Sequence, residues 1–356
     1  MTKTPIQWTD FSVNPFRFRN LKTGKVGHHC AKISPGCKNC YSSKMQAGPY
    51  LSGLTFIEEN KAKGEFFLDE GVIKALLRRR KPARVFWCDM TDILLEDYPD
   101  EWIDLCFAAM ALTPNLTHQV LTKRSKRLMK WASRPFLAGD VQVIANDLRD
   151  RYHIPQASAL HGQYNLTPEE ALEVSDVDVW PLPNVWLGVS VENQQYANER
   201  IPHLLGTPAA LRFVSYEPAL GPVDFTDLGG RAGFEELNAL TGDWVKVWVK
   251  VLRPHEINKL DWIIIGGESG PGARPFDLAW ARQTIEQCKD NGVRCFVKQL
   301  GARPFDGESL LMALRSQLND PRLYLKFKDH KGGYIGEWPE NVRVRQMPSS
   351  NTSVLC

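Results

Sequence analysis

The chain has 356 residues, a net charge of +3 and an apolar fraction of 43%, values that indicate a stable globule with a real core. It contains no run of about 18 apolar residues, and its N-terminus, MTKTPIQWTD, lacks the apolar core of a signal peptide. We therefore expect no membrane span and a cytoplasmic location. In that compartment the eight cysteines are expected to be thiols or metal ligands rather than a disulfide framework.

Residues 28–41, HHCAKISPGCKNCY, hold three cysteines with the spacing C-x6-C-x2-C. The candidate metal ligands are Cys30, Cys37 and Cys40. The two-residue spacer forms a tight loop that brings two sulfurs to one metal centre, and the Ser-Pro-Gly turn at 34–36 folds the longer spacer back toward it.

Two metal sites are compatible with these cysteines. A closed zinc site needs a fourth ligand, for which His28 and His29 are candidates. Three thiolates also match a 4Fe-4S cluster that leaves one iron open to a further ligand, since a saturated cluster takes four cysteines. The spacing alone does not choose between these two metal sites.

The same region is strongly basic. Residues 11–57 contain seven lysines and arginines and no acidic residue, and residues 78–84 and 123–130 add two more basic stretches. Such stretches favour an anionic ligand or a nucleic acid. Solvated helix faces explain the last two stretches equally well.

Short β-branched and aromatic runs alternate with segments of helical spacing, which predicts repeated β-α units. The six runs are RVFWCDMTD (84–92), THQVLTKR (117–124), VWLGVSVEN (185–193), LRFVSYEP (211–218), DWIIIGGESG (261–270) and RCFVKQLG (294–301). Before the last run, a helix is predicted to begin after an N-cap at Asp277 and to end near Gly292. Runs that are apolar throughout indicate an α/β fold with a parallel sheet of about six strands, covered on both faces.

Polar residues follow each of these runs. They are Asp89 and Asp92, Thr122 and Lys123, Ser190 with Glu192 and Asn193, Ser215 and Glu217, Glu268 and Ser269, and Lys298 and Gln299. In a barrel of parallel strands these ends meet at one mouth, where active sites are built. An open doubly wound sheet also binds ligands at its strand ends, and helix capping explains any one of these residues alone.

Two stretches interrupt the β-α pattern. Residues 137–183 are expected to form a surface excursion and residues 222–260 a smaller inserted element, because both have weak periodicity. The tail from residue 303 is rich in charge and turn residues.

The sequence resembles a known family in motifs that follow one another along most of the chain. They are IQWTDFSVNP, CAKISPGCKNCY, DMTDILLEDYPDEWID, QVLTKR, NVWLGVSVENQQYANERIP, TPAALRFVSYEPALGPVDF, DWIIIGGESGPGARPF, VKQLG and KGGYIGEWPENVRVRQMP. In these motifs it is similar to the three-cysteine-motif proteins of phages and bacterial genomes, a family long of unknown function that is grouped with the radical S-adenosylmethionine (SAM) superfamily.

The resemblance implies a partial β/α barrel over residues 1–302, with the two insertions, and a C-terminal extension over 303–356. It implies that Cys30, Cys37 and Cys40 hold a 4Fe-4S cluster whose fourth iron binds SAM through its amino and carboxylate groups. Electron transfer to the sulfonium would then give methionine and a 5′-deoxyadenosyl radical. The usual radical SAM spacing is C-x3-C-x2-C with an aromatic residue before the third cysteine. Here Tyr41 follows that cysteine instead.

Further residues are assigned roles by the same resemblance and by their place at strand ends. The candidate cofactor-binding residues are Tyr41, Lys123, Ser190, Glu192, Asn193, Gly266, Gly267 and Glu268. The candidate catalytic residues are Glu217, Asp89 and Lys298. Glu268 is expected to receive the methionine ammonium of SAM, and the two glycines to permit close backbone approach.

The function predicted from these observations is radical SAM chemistry that modifies or repairs a nucleic acid or nucleotide. The expected partners are that substrate, an electron donor for the cluster and a protein encoded in the same gene cassette. The alternative is a non-catalytic, zinc-stabilised nucleic-acid-binding protein of a phage or defence cassette.

Overall fold

The computed structural model describes residues 1–154, 180–229, 236–245, 258–307 and 323–349. The strands are β1 (Thr2–Lys3), β2 (Phe11–Val13), β3 (Phe16–Asn20), β4 (Val26–Gly27), β5 (Gly64–Leu68), β6 (Ala83–Trp87), β7 (Leu116–Thr122), β8 (Val185–Ser190), β9 (Leu211–Tyr216), β10 (Glu236–Leu237), β11 (Trp244–Val245), β12 (Trp262–Gly266), β13 (Phe276–Asp277), β14 (Arg294–Gln299) and β15 (Pro304–Phe305).

The α-helices are α1 (Tyr41–Gln46), α2 (Glu58–Lys61), α3 (Glu70–Leu77), α4 (Asp100–Ala111), α5 (Ser125–Ala132), α6 (Leu137–Tyr152), α7 (Gln194–Leu205) and α8 (Leu278–Asp290). Short 3-10 helices occur at Pro35–Cys37, Ile335–Glu337 and Glu340–Val342. Within the described ranges, no helix is both long enough and apolar enough to cross a membrane.

The main sheet has eight strands in the order β1-β2-β6-β7-β8-β9-β12-β14. The pairs β2-β6, β6-β7, β9-β12 and β12-β14 are parallel, whereas the short edge strand β1 is antiparallel to β2. The predicted α/β class with a large, mostly parallel sheet is therefore confirmed. Each of the six predicted runs overlaps one strand of the sheet. These strands are β6, β7, β8, β9, β12 and β14.

Burial explains why these runs form the centre of the sheet. Every residue of β8, β9 and β12 is buried, as expected for strands that are covered on both faces. The helix predicted to follow Asp277 is α8, and the Asp277 side chain accepts a hydrogen bond from the Ala279 amide at 3.0 Å. This N-cap satisfies one of the amides that the first helical turn leaves without a partner.

The chain forms two compact units. The first contains residues 1–188 and 207–211, and the second contains residues 189–206 and 212–349. A separate antiparallel sheet of order β4-β3-β5 belongs to the first unit. Residues 303–307 and 323–349 of the predicted C-terminal extension belong to the second.

The two predicted insertions are described in part. Residues 137–152 of the first form α6, which buries an apolar face and packs against α4, while residues 155–179 lie outside the described residues. In the second, β10 and β11 form an antiparallel pair, and residues 230–235 and 246–257 lie outside the described part of the chain.

A buried histidine lies in the core of the first unit. The Trp87 indole N–H donates to His118 Nδ1 at 3.0 Å, so the ring proton is on Nε2, which lies 2.9 Å from the Thr113 hydroxyl. His118 is fully buried, and burial lowers its pKa to about 3. The imidazole is therefore neutral across the physiological range.

We expect His118 to couple the stability of this unit to pH. An unfolded histidine binds a proton below about pH 6.5, whereas the folded one does so only near its pKa of about 3. Unfolding therefore takes up a proton between these values, and stability falls as the pH decreases through that window, by up to about 1.4 kcal/mol per pH unit. Urea unfolding at pH 7 and pH 5 of the wild-type protein and of His118→Gln measures the effect. Between pH 7 and pH 5 the wild-type protein should lose more unfolding free energy than His118→Gln, which has no imidazole to protonate. Equal losses in the two proteins would contradict the assignment.

Candidate metal centre at the cysteine loop

The cysteine loop (residues 28–41) is shaped by its own backbone hydrogen bonds. The Cys37 amide donates to the Ser34 carbonyl at 2.9 Å, and the Cys40 amide donates to the Cys37 carbonyl at 3.3 Å. Cys40 is the N-cap residue of α1. The three thiols are half-buried, form no disulfide and are close enough to influence one another electrostatically.

Burial raises the pKa of the Cys30 and Cys40 thiols. It raises the pKa of Cys30 to about 12 and also raises that of Cys40, where the amides of Ser42 and Ser43 and the charge of Lys123 act in the opposite direction. Because metals bind the thiolate, occupation of this loop would release protons.

The segment that follows β6 holds the loop at both ends. The Thr91 hydroxyl donates to the His29 carbonyl at 2.8 Å, just before the first cysteine. Just after the third cysteine, the Tyr41 hydroxyl donates to the Asp89 carbonyl, and the Ser42 hydroxyl donates to the Met90 carbonyl at 2.6 Å. Residues 89–91 thus fix where the loop enters and where it leaves.

Asn14, which follows β2, positions the anchoring segment. Its amide nitrogen donates to an Asp89 carboxylate oxygen at 2.6 Å, and its amide oxygen accepts from the Met90 amide at 3.0 Å. Burial raises the pKa of Asp89, against the opposing effect of this hydrogen bond. The ends of β2 and β6 therefore act together on the cysteine loop.

A buried ion pair adds a third anchor. Arg124, directly after β7, donates to Asp92 Oδ2 at 2.9 Å and to Glu96 Oε2 at 2.6 Å. It also donates to the Ala31 carbonyl, next to Cys30, at 3.3 Å. The side chains of Arg124 and Asp92 are only 3% and 8% exposed, so this contact is shielded from water.

Asp92 has its remaining acceptor positions filled. Its carboxylate accepts from the Thr122 hydroxyl at 2.7 Å, the Lys123 amide at 3.0 Å and the Leu94 amide at 3.0 Å. A buried carboxylate with this many donors is held in one position. The pair is therefore a rigid support for the cysteine loop.

The two histidines of the loop are engaged with residues other than the cysteines. His28 Nδ1 lies 2.9 Å from the Phe16 carbonyl and Nε2 lies 3.0 Å from an Arg17 nitrogen. This pattern fits a neutral ring that donates to Phe16 and accepts from Arg17, and burial lowers its pKa to about 4. His29 packs against Phe18 and Phe56, and its Nε2 lies 3.3 Å from the Ile57 carbonyl.

Among the described residues, no group of three or more histidine, cysteine, aspartate or glutamate side chains could hold a metal ion. Around a tetrahedral zinc ion, with zinc–sulfur bonds of about 2.3 Å, sulfurs lie about 3.8 Å apart. In an iron–sulfur cluster each cysteine binds a different iron, so the sulfurs stand further apart.

The predicted catalytic residues Glu217 and Lys298 meet in the second unit. Lys298 Nζ donates to both Glu217 carboxylate oxygens, at 2.9 and 2.8 Å. The side-chain amide nitrogen of Gln299 donates to one of these oxygens at 3.1 Å. A Cβ on Gly266 would lie 3.3 Å from the Glu217 carboxyl group, and one on Gly267 would overlap the Leu300 carbonyl. The two glycines therefore permit close approach of neighbouring strands.

The polar residues after β8 are engaged within the second unit. Glu192 forms a fully buried ion pair with Arg200 at 3.2 Å, and the same arginine donates to the Ser190 carbonyl at 2.8 Å. Asn193 caps α7 by accepting from the Tyr196 amide at 3.2 Å. Their predicted cofactor contacts would be made in addition to these bonds.

Glu268 is held by Arg274. Its carboxylate accepts from the Arg274 amide at 3.0 Å and from the guanidinium nitrogens Nε and Nη2 at 2.9 and 2.7 Å. An ammonium group that binds Glu268, as the resemblance implies for SAM, would have to share the carboxylate with this arginine.

The sequence analysis placed Asp92 and Glu192 at strand ends but did not identify their partners. Arg124 and Arg200 belong to a basic stretch and to a helix, and only the folded chain shows which carboxylate each one meets. A sequence signal was available only for Glu192, because Arg200 lies eight residues further on in the next helix, whereas 32 residues separate Asp92 from Arg124.

One family model matches most of the chain. It is described as "Protein of unknown function (DUF5131)" and covers residues 3–331. No curated protein and no solved structure matches the chain.

We expect Asp92→Ala to destabilise the protein strongly, because it leaves the buried Arg124 guanidinium without its main partner. Breaking a buried ion pair from one side typically costs about 3–5 kcal/mol of unfolding free energy. The matched control is Glu65→Ala, which breaks the exposed pair with Arg19 and should cost less than about 1 kcal/mol. Urea unfolding measures both, and equal losses would contradict the supporting role of Asp92.

Proposed function

Since the chain belongs to the DUF5131 family, whose description states no function, we propose one from its residues. We propose a radical SAM enzyme in which Cys30, Cys37 and Cys40 hold a 4Fe-4S cluster, with SAM as cofactor and a nucleic acid or nucleotide as substrate. The corresponding fold proposal is a partial β/α barrel built from the parallel strands.

One observation carries the proposal. Three thiols lie together in a loop that is anchored on both sides to strand ends, by Thr91 and Tyr41 contacts and by Arg124. Three cysteines leave one iron of a 4Fe-4S cluster open to a further ligand.

When bound, the cluster and SAM would supply one-electron cleavage of the sulfonium, giving a 5′-deoxyadenosyl radical that abstracts hydrogen. The chain itself must hold the three sulfurs in place, which the hydrogen bonds from Arg124 to Ala31 and from Thr91 to His29 support. Lys123, whose charge acts on Cys40, is the cation that we assign to the carboxylate of SAM.

Within the second unit, we assign proton transfer to the contact between Glu217 and Lys298. A carboxylate and an ammonium in direct contact pass a proton to or from a substrate group that approaches either of them. Asp89 is the other acid–base candidate. Burial raises its pKa, which brings it closer to the range in which a carboxyl group acts as a general acid.

The histidine contacts support this proposal over the zinc alternative. Zinc bound by three cysteines needs His28 or His29 as the fourth ligand. Both ring nitrogens of His28 already have partners in Phe16 and Arg17, so binding zinc would require these hydrogen bonds to break.

Anaerobic reconstitution with iron and sulfide tests the proposal. The wild-type protein should become brown, carry about four irons per chain, and form 5′-deoxyadenosine from SAM when dithionite is added. Cys37→Ala should lose the bound iron and the product, because only two thiols of the loop remain.

The matched control for this experiment is Cys106→Ala, which removes a buried thiol in α4, outside the loop. It should keep the iron and the product. A colourless wild-type protein that holds one zinc, or a cluster that survives Cys37→Ala unchanged, would rule the proposal out.

A further inference from the structure

The basic stretch around the cysteine loop is also rich in exposed apolar side chains. Residues 11–57 contain no acid. The large apolar residues that are exposed in this stretch are Leu21, Ile33, Tyr41, Met45, Tyr50 and Ile57. Tyr50 is 92% exposed. An exposed aromatic ring among lysines and without nearby acids in the sequence suggests a ligand that is both anionic and able to stack.

Two surface segments of this stretch are joined by hydrogen bonds. Lys25 Nζ donates to the Pro49 carbonyl at 2.6 Å, and the side-chain amide nitrogen of Asn20 donates to the Ser52 carbonyl at 2.7 Å. The turn after β3 therefore lies against the loop that carries Tyr50. We call the exposed residues Leu21, Lys22, Lys25, Met45 and Tyr50 the basic face.

The basic face is continuous with the cysteine loop. Helix α1 begins directly after Cys40, and Met45 lies four residues after Tyr41, on the same side of the helix. The Gly48 amide donates to the Met45 carbonyl at 2.9 Å, which turns the chain from the helix into the Tyr50 loop. A polymer on the basic face would thus follow α1 toward the three thiols.

The lysines of the basic face differ from the arginines of the neighbouring strand β3, which pair with acidic side chains. In β3, Arg17 pairs with Asp69 and Arg19 pairs with Glu65. The described residues place no carboxylate within salt-bridge distance of Lys22 or Lys25. These two lysines therefore remain available to phosphate groups.

Two arginines of the basic stretch at residues 123–130 differ in this respect. In residues 123–130, Arg124 is committed to Asp92, and Arg127 is bound to Asp100 and to the Leu95 carbonyl. These arginines serve the fold of the first unit, whereas Lys25 contacts the loop that carries the exposed Tyr50 ring. Charge and a stacking surface therefore occur together at the basic face.

We infer that the basic face binds single-stranded nucleic acid. Lysines attract the phosphates, and exposed rings offer stacking surfaces for unpaired bases, which a duplex keeps inside its helix. The inference deepens the proposed function by naming its substrate class. It rests on that proposal only for the role of the bound strand as substrate.

Fluorescence anisotropy of the full-length protein with a labelled mixed-sequence 20-nucleotide single strand tests the inference. Parallel measurements use DNA, RNA and the corresponding duplex, each at several salt concentrations. The single strand should bind more tightly than the duplex, and the DNA and RNA arms identify which sugar is preferred. Equal or tighter binding of the duplex would overturn the inference.

Two substitutions separate charge from stacking. Lys22→Gln with Lys25→Gln should reduce the slope of log Kd against log salt by about 1.4, since each phosphate contact contributes about 0.7 on a single strand. Tyr50→Ala should weaken binding by about five- to 150-fold, the loss expected for one stacked base.

Matched controls lie in the second unit. Lys326→Gln with Lys328→Gln makes the same charge change at exposed lysines, and Tyr334→Ala removes another exposed ring. Both should bind like the wild-type protein. Losses as large as those of the basic-face variants would show that binding is non-specific and would overturn the inference.

Iron content and uncoupled 5′-deoxyadenosine formation, measured on the same proteins, separate this inference from the proposed function. The basic-face variants should keep both, because none of their residues is assigned to the cluster or to SAM. Strand binding by a protein without a cluster would end the proposed function alone. A cluster-bearing protein that does not bind the strand would end the inference alone.

Discussion

The buried contact between Arg124 and Asp92 is the interaction on which the candidate metal centre depends. It lies after the parallel strands β6 and β7 and reaches the cysteine loop through the Ala31 carbonyl. A charge pair in this setting is stable only while both partners and their hydrogen bonds are present. The position of Cys30 is therefore coupled to the integrity of the sheet.

The rest of the loop follows from this constraint. Hydrogen bonds from Thr91, Tyr41 and Ser42 fix the backbone on either side of the cysteines. Helix α1 then leads away from the sheet and exposes Met45, and the chain continues to Tyr50. One short segment thus connects a buried support, a candidate metal centre and an exposed basic face.

Much of the fold was predictable because the central strands are mostly apolar, and every residue of β8, β9 and β12 is buried, a pattern that two covered faces impose. The polar residues after these strands were recognisable because each apolar run ends at them. Two of them, Glu217 and Lys298, are joined by a hydrogen bond. The antiparallel sheet of β3, β4 and β5 was not predicted, because β4 has only two residues and β3 alternates phenylalanine with arginine inside a basic stretch. The partnership of Arg124 with Asp92, which are 32 residues apart, depends on a contact between distant segments, which no local pattern encodes.

The metal itself could not be predicted from spacing, because zinc and iron–sulfur clusters use the same thiols. The structure shows how the two neighbouring histidines are held. His28 is held by Phe16 and Arg17, and His29 packs among phenylalanines. The three cysteines alone are the ligand set that we propose.

Mössbauer spectroscopy of the ⁵⁷Fe-reconstituted protein, recorded with and without SAM, tests the central claim most directly. Three cysteine ligands leave one iron of the cluster open, so the signal of about one iron in four should shift when SAM is added. A spectrum that SAM does not change, or a protein that binds zinc and no iron, would contradict the claim.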